Sequence, residues 1–277
     1  AAPCVAAAVM APVARRLAGA DARKGEWLPK IAEGSVVVGA ALSEATGARE
    51  DAGVRAVGNK LTGKALFVID FEADAYLVAD DSKRLFLVSA DAKGLSRRQL
   101  TTIDKTRPVG ELVFDGVDAE PLPGSEDGEA CAKVIDAGRI ALAADSLGAA
   151  QHMLFKAVGY SMEREQFGRL IGSFQAVKHM CAEMASMLEP CHSLLWYAAH
   201  AFENLPDEAR LTACHAKAHI SEVATFVAKT ATEVHGGIGF TDELGLHYWF
   251  KRIGANRQLL GGPERVREDA ALAQGLV

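Results

Sequence analysis

The chain has 277 residues, 49% of them hydrophobic, 24% charged and 6% aromatic, with 30 Lys+Arg against 36 Asp+Glu and a formal net charge of −6. That length suffices for one large domain or two smaller ones with a sizeable core, and the acidic balance lacks the basic surplus with which a nucleic-acid binder neutralises phosphates. No apolar run reaches the roughly 18 residues that span a bilayer, and nothing basic precedes the apolar stretch Val5 to Val13 as a secretory signal requires; no nucleic acid and no membrane are expected as partners, and a cytoplasmic location is.

Residues 1–35 are Ala-rich with Leu, Val, Arg and Lys, which reads as helix, a break at Gly19 to Asp21 and a second helical stretch. The opening Ala1-Ala2-Pro3 has no initiator Met, so further residues are expected upstream. Residues 36–123 change to short β-type runs, Leu66 to Ile69, Tyr76 to Val78, Leu85 to Val88 and Glu111 to Phe114, separated by Gly, Asp, Lys and Ser clusters. Strands at such short spacing predict an antiparallel barrel or sandwich. After the connector Pro121 to Gly128, residues 129–277 read as helices. Ile140, Ala144, Leu147, Leu154 and Val158 form one apolar stripe at helical spacing. Further helices are expected at about Ser173 to Ala201, Asp207 to Val234 (after the break Asn204-Leu205-Pro206) and Leu246 to Leu259. Four successive helices with short connections imply an antiparallel bundle.

The five cysteines, Cys4, Cys131, Cys181, Cys191 and Cys214, are odd in number and never form a Cys-x-x-Cys pair, so reduced and mostly buried thiols are expected. Cys214, His215 and His219 lie together, but no third ligand and no His-Glu-x-x-His pattern accompanies them, and no metal is expected. Neither a Gly-x-Ser-x-Gly nucleophile elbow nor a phosphate-binding P-loop occurs.

Two segments carry more. In Arg164-Glu165-Gln166-Phe167-Gly168 a helix ends near Arg164, a glycine-punctuated turn follows, and Ser173 is placed to cap the next helix. Arg164 and Gln166 are thereby available to an anion or a neighbouring subunit, although a solvated arginine at a helix C-terminus explains the spacing as well. In Glu233-Val234-His235-Gly236-Gly237-Ile238-Gly239-Phe240 the glycines follow a helix, so they form a Gly-rich C-cap through which backbone can approach a phosphate or another chain.

Taken in order, these two segments, with Trp27 to Gly34, Ala41-Leu42-Ser43-Glu44 and Leu61-Thr62-Gly63-Lys64, resemble the acyl-CoA dehydrogenase family over almost the whole chain, as far as Arg267. The resemblance implies an α+β fold: an N-terminal helical domain, here mostly missing, then a middle β-domain and a C-terminal four-helix bundle. It implies FAD at a subunit interface and dehydrogenation of an acyl-CoA thioester. By the resemblance Arg164 reaches the flavin pyrophosphate of a neighbouring subunit, with Gln166 and Phe167 beside it, Gly236 and Gly237 approaching the same cofactor and Gln175 near its adenosine half. A guanidinium and bare amides are what a pyrophosphate needs. Ser43 and Phe67 fall where the family contacts the isoalloxazine, Ile69 replaces a threonine there, and Glu233 stands where a glutamine faces the cofactor phosphates and would repel them unless paired or protonated.

The family reaction needs a carboxylate to take the proton next to the thioester carbonyl. Gly261 and Gly138 stand at the two positions where the family carries that Glu, so no catalytic residue is assigned. The resemblance therefore points to the non-catalytic subunit of a heteromeric enzyme, akin to actinobacterial pairs acting on steroid side-chain thioesters. Its partner would be a homologous subunit in a heterotetramer, alternatively a homotetramer or homodimer, with electron-transfer flavoprotein as electron acceptor. Two alternatives stay open. In one, the chain is self-sufficient through a displaced base such as Asp145, seven residues after Gly138 on the same helix, Glu264 being a poorer candidate; Arg139 would then orient carboxylate or substrate, or be structural. In the other, the chain is a flavin-free scaffold.

Overall fold

Eight short strands build one curled sheet because the chain between residues 38 and 121 alternates β-branched or large apolar residues with tight turns. They are β1 (Val38–Ala41), β2 (Gly53–Val57), β3 (Lys60–Ile69), β4 (Ala75–Ala79), β5 (Leu85–Ser89), β6 (Leu95–Gln99), β7 (Val109–Asp118) and β8 (Glu120–Pro121). Their order is β6-β7-β3-β1-β4-β5-β8, with β2 paired to β3 alone. The computed structural model describes residues 5–18, 21–47 and 52–276, so Cys4 and the first two residues of the Gly19 to Asp21 break lie outside the described residues. By contacts the chain divides into two units, residues 1–141 with 259–261 and residues 142–258 with 262–277.

In the first unit the four expected strands fall inside β3, β4, β5 and β7. The expectation of a wholly antiparallel sheet is corrected at one place: β1 and β4 pair in parallel, from Val38 opposite Ala75 to Ala41 opposite Val78. Parallel neighbours need a long crossover, and the β2–β3 excursion between them supplies it. One face of the sheet closes on Leu61, Val68, Tyr76, Phe86, Leu112 and Phe114. Strands β1 and β4 are buried on both faces, which is why their sequences run apolar without alternation. Ahead of the sheet, a π-helical turn (Ala6–Met10) leads into α1 (Ala11–Leu17), and α2 (Asp21–Ala32) follows. The Asp70 carboxylate accepts from the amides of Ala6 at 2.9 Å and Ala7 at 3.3 Å, satisfying donors that a helix start leaves unpaired. The buried Arg15 pairs with Glu120 at 3.1 Å and ties α1 to β8.

The long α3 (Glu129–Glu163) is followed by α4 (Gln175–Asn204), α5 (Pro206–His235), α6 (His247–Gln258) and α7 (Pro263–Ala273). The four expected helices correspond to α3 to α6. The short α7 is additional, started by Pro263 at its first position and packed through Val266 and Ala270 on Cys214 and Ala218 of α5. The stripe expected on α3 is also corrected. Leu147 and Leu154 are buried as expected, but Ala144 and Val158 are exposed and Ile140 half-buried, while Ala143, Ser146, Ala150, Met153 and Ala157 are buried in their place. The helix is apolar on more than one face, so periodicity alone does not select the packed one. Among the described residues no helix is long and apolar enough to cross a membrane.

Candidate functional site

At the end of α3 the chain turns back on itself in a two-residue hairpin. The Arg164 amide still donates to the Tyr160 carbonyl at 2.9 Å, and the Arg164 carbonyl accepts from Ile171 at 2.8 Å. Between them β9 (Glu165–Gln166) pairs with β10 (Arg169–Leu170), Gln166 opposite Arg169. The two turn residues, Phe167 at φ 56° and Gly168 at φ 72°, have the paired positive φ of a type I′ turn. This turn throws the Phe167 ring outward, 92% exposed. Phe174 steadies it edge-on at 6.1 Å, and the Arg169 guanidinium lies 3.9 Å over the Phe174 ring. Gln166 spends its amide on the Glu165 carbonyl at 2.8 Å. The Arg164 side chain is exposed, as is Gln175, the first residue of α4.

Ser173 does not cap α4. A 3-10 turn (Ile171–Ser173) intervenes, the Ser173 hydroxyl donates back to the Leu170 carbonyl at 2.7 Å, and Phe174 occupies the cap position without a side-chain bond.

The second motif stands where expected. Gly236 ends α5 at φ 64°, and a 3-10 turn (Gly236–Phe240) follows. A Cβ on Gly237 would meet nothing within 4 Å, whereas one on Gly239 would come within 2.6 Å of the Thr232 carbonyl oxygen. Packing therefore demands glycine at 239, while no described residue crowds position 237. Glu233 is exposed.

One contact brings the two motifs together. The buried His235 ring stacks on Tyr160 with centroids 4.7 Å apart, and its Nδ1 lies 2.7 Å from the Ala231 carbonyl, which makes Nδ1 the protonated nitrogen. Tyr160 is one turn before Arg164 and His235 immediately precedes Gly236, so the stack sets both turns at one end of the helical unit. Burial pushes the His235 imidazole below its ordinary pKa, and the nearby Lys156 adds to the effect.

On the sheet, Phe67 sits at a register break of β3 between Ala65 and Val68. It has φ 53° and an exposed ring. Ile69 is buried, and Ser43 opens the short 3-10 turn Ser43–Thr46 after β1.

At the two positions expected for a base, Gly138 lies in the buried first half of α3 and Gly261 follows Leu260 in a turn in which both residues have positive φ, 99° and 57°. The buried Arg139 donates through Nε to the Leu260 carbonyl at 3.0 Å and lies 3.8 Å from Asp136. Asp145 is committed elsewhere: its Oδ2 accepts from Asn256 at 2.6 Å and lies 3.6 Å from Arg252. Glu264 is held below its ordinary pKa, first by its own backbone amide and then by Arg257 at 3.2 Å, which makes it a weak proton acceptor. Sequence reasoning missed Lys217, wholly buried in α5 with Nζ 3.0 Å from the Arg257 carbonyl. A lysine amid alanines on an apolar helix was the available signal.

Cys131, Cys191 and Cys214 are buried, Cys181 is half-buried, and these four are free thiols. His215 and His219 are exposed while Cys214 faces the core. Among the described residues no three His, Cys, Asp or Glu side chains converge on a common point.

A curled sheet unit joined to long helices defines an α+β fold, and its helical part is the diagnostic piece. Residues 128–274, more than half of the chain, match the family described as acyl-CoA dehydrogenase, C-terminal domain. The chain belongs to the acyl-CoA dehydrogenase family of oxidoreductases. It is 34% identical over 174 residues to the acyl-CoA dehydrogenase IpdE2 of Mycobacterium tuberculosis, covering 62% of this chain and 49% of that one. To the mitochondrial short-chain specific acyl-CoA dehydrogenase of Bos taurus it is 29% identical over 262 residues, covering 85% and 62%. A solved variant of the Tcur3481-Tcur3483 steroid ACAD superposes with a TM-score of 0.85 at 30% identity, over 96% of this chain and 74% of its own. The chain spans about half the length of the curated relatives it matches.

Proposed function

We propose that the chain is the non-catalytic subunit of a heteromeric acyl-CoA dehydrogenase, lending Arg164 and the Gly236-Gly237 backbone to FAD held mainly by a homologous partner that carries the glutamate. FAD, when bound, accepts the hydride. The observation that carries the reading is the Tyr160–His235 stack, which sets the turn bearing the exposed Arg164 beside the turn bearing Gly237, where an added Cβ would meet no described residue within 4 Å. A mobile anion with several oxygens suits that pair: the guanidinium offers a planar fork, and the amides approach closely because no Cβ stands in the way. Gln166, Phe167 and Gln175 flank it. Phe67 and Ser43 would serve a flavin ring, with one hydrogen-bond donor fewer because Ile69 is apolar. Glu233 opposes a phosphate and needs a cation from the partner or a retained hydration shell. The substrate class is an acyl-CoA thioester, of fatty or steroid type, with electron-transfer flavoprotein taking the electrons and the cytoplasm as the site of action. A heterotetramer is the assembly we favour.

The test is to purify the full chain with and without its homologous partner and to record the visible flavin spectrum and thioester-dependent dye reduction. We expect colourless protein alone and yellow, active protein with the partner. Arg164→Ala in the complex should weaken FAD retention by about 1.5–3 kcal/mol, the scale of a charge-assisted hydrogen bond. Stoichiometric flavin and turnover in the isolated chain would overturn the reading in favour of a self-sufficient enzyme, and failure of any partner to restore flavin would favour a scaffold.

A further inference from the structure

The connection between α5 and α6 is held at its ends and bare in between. Of residues 236–245 only Gly239 is buried, and the Phe240 ring stands in solvent. Two of its hydrogen bonds stay inside it: the Thr241 amide donates to the Ile238 carbonyl at 3.0 Å and the Leu244 amide to the Thr241 hydroxyl at 3.5 Å. A segment with so few buried contacts has little stability of its own. At its far end Leu246 is wholly buried. Beyond it α6 is tied to α3 by the wholly buried Asn256, which donates to Asp145 at 2.6 Å and to Ser146 at 3.2 Å. Gly245, at φ 69°, gives the backbone a pivot just before Leu246. The near end depends on His235. Its buried ring lies on Tyr160, and the connection folds back over it, so that a Cβ on Gly239 would come within 3.2 Å of the His235 Cβ.

We propose that residues 236–246 form a latched strap, pivoting at Gly245, held shut by the neutral His235 against Tyr160 and Gly239, and released when the imidazole takes up a proton. A protonated ring would gain some attraction from the Tyr160 face. Against that, it would carry its charge out of water beside the Lys156 ammonium, and both penalties disappear when the strap opens. The downward direction of the His235 pKa agrees with a closed state that disfavours the charged form. Lys156, on α3, is the charged group that acts on the ring. Glu233 on α5 is exposed, Asp242 of the strap lies 3.2 Å from His247, and Asp145 and Arg252 lie 3.6 Å apart. The far end has no comparable latch, since Asn256 holds α6 through an amide that does not titrate. Opening carries Gly236 and Gly237 away from the Arg164 turn, so a ligand spanning both turns is lost on acidification. That consequence rests on the reading of the two turns as one anion site, whereas the latch does not.

Hydrogen exchange of the full chain between about pH 7.5 and 5 tests the latch, read as protection factors for the amides of residues 236–241 and for those in the middle of α5. Strap protection should fall by up to about tenfold per pH unit below about 6.5, the limit for one proton taken up on opening, while the middle of α5 keeps its protection. His235→Phe keeps a ring on Tyr160 without a titrating nitrogen, and its strap should show no such fall. Lys156→Gln leaves both rings in place and should lose less protection than wild type. Strap protection independent of pH in the wild type, an equal fall in the middle of α5, or the full fall retained in His235→Phe would overturn the latch; should that variant not fold, the full fall retained in Lys156→Gln does so. None of these readouts involves flavin or a partner, so the latch can fail while the proposed function stands.

Discussion

Gly237 and Gly138 are glycines for opposite reasons. At 237 an added methyl would meet open space, and at 138 it would collide with Leu260 and Met10. The first therefore has no value to the isolated fold, and its bareness has value only toward something that approaches from outside. Gly237→Ala should leave the unfolding free energy of the isolated chain within about 0.5 kcal/mol of wild type, as for an unconstrained surface position. In the complex the same variant should release FAD at least tenfold more readily, read as flavin fluorescence on dilution. Equal behaviour of wild type and variant in the complex would show that Gly237 touches no cofactor. The turns that carry Arg164 and Gly237 were legible in sequence because their motifs are local. The packing of Leu260 and Met10 beside Gly138 was not, since it joins residues 122 and 128 positions away from Gly138 in the chain.

Helix ends carry the element-scale result. The helices α3 and α5 present their C-terminal turns side by side because Tyr160 and His235 stack, and an imidazole serves as the clamp only while neutral and buried. Burial lowers the His235 pKa below its ordinary 6.5, so between the folded and unfolded values the unfolded chain binds more protons. Stability from this group is therefore complete above about pH 6.5 and declines as pH falls below it. His152 is also lowered by burial and by Lys156, but it is exposed, so solvent screening weakens any contribution in the same direction. His235→Phe keeps an aromatic ring on Tyr160 and should flatten part of the fall in melting temperature between about pH 7 and 5; an unchanged slope would remove His235 as its source. Elements with strong patterns were legible, among them β4, β5 and α5. The short α7 and the parallel pairing of β1 with β4 were not, because strand direction follows from crossover topology and carries no local signature.

For the molecule as a whole, the helical unit exposes several large rings. Phe240 is 78% exposed and Trp196 75%, in addition to Phe167 at the hairpin tip. In the assembly proposed above, the partner would cover some of these rings. The purified chain should therefore run above its 29.3 kDa monomer mass in light scattering, and Trp196→Ser with Phe240→Ser should shift it toward monomer. A monodisperse wild-type monomer that also ignores its homologous partner would count against the assembly proposed above.

The sequence by itself determined the family, the order of sheet and helices, and the two turns that bear Arg164 and Gly237, because strand alternation, helix breaks and turn glycines are short-range properties. It also determined that no carboxylate stands at 138 or 261. Only the tertiary structure decided what lies beside Gly138: Met10 and Leu260 are far from it in the chain, and their close approach arises from packing, which no window of sequence contains.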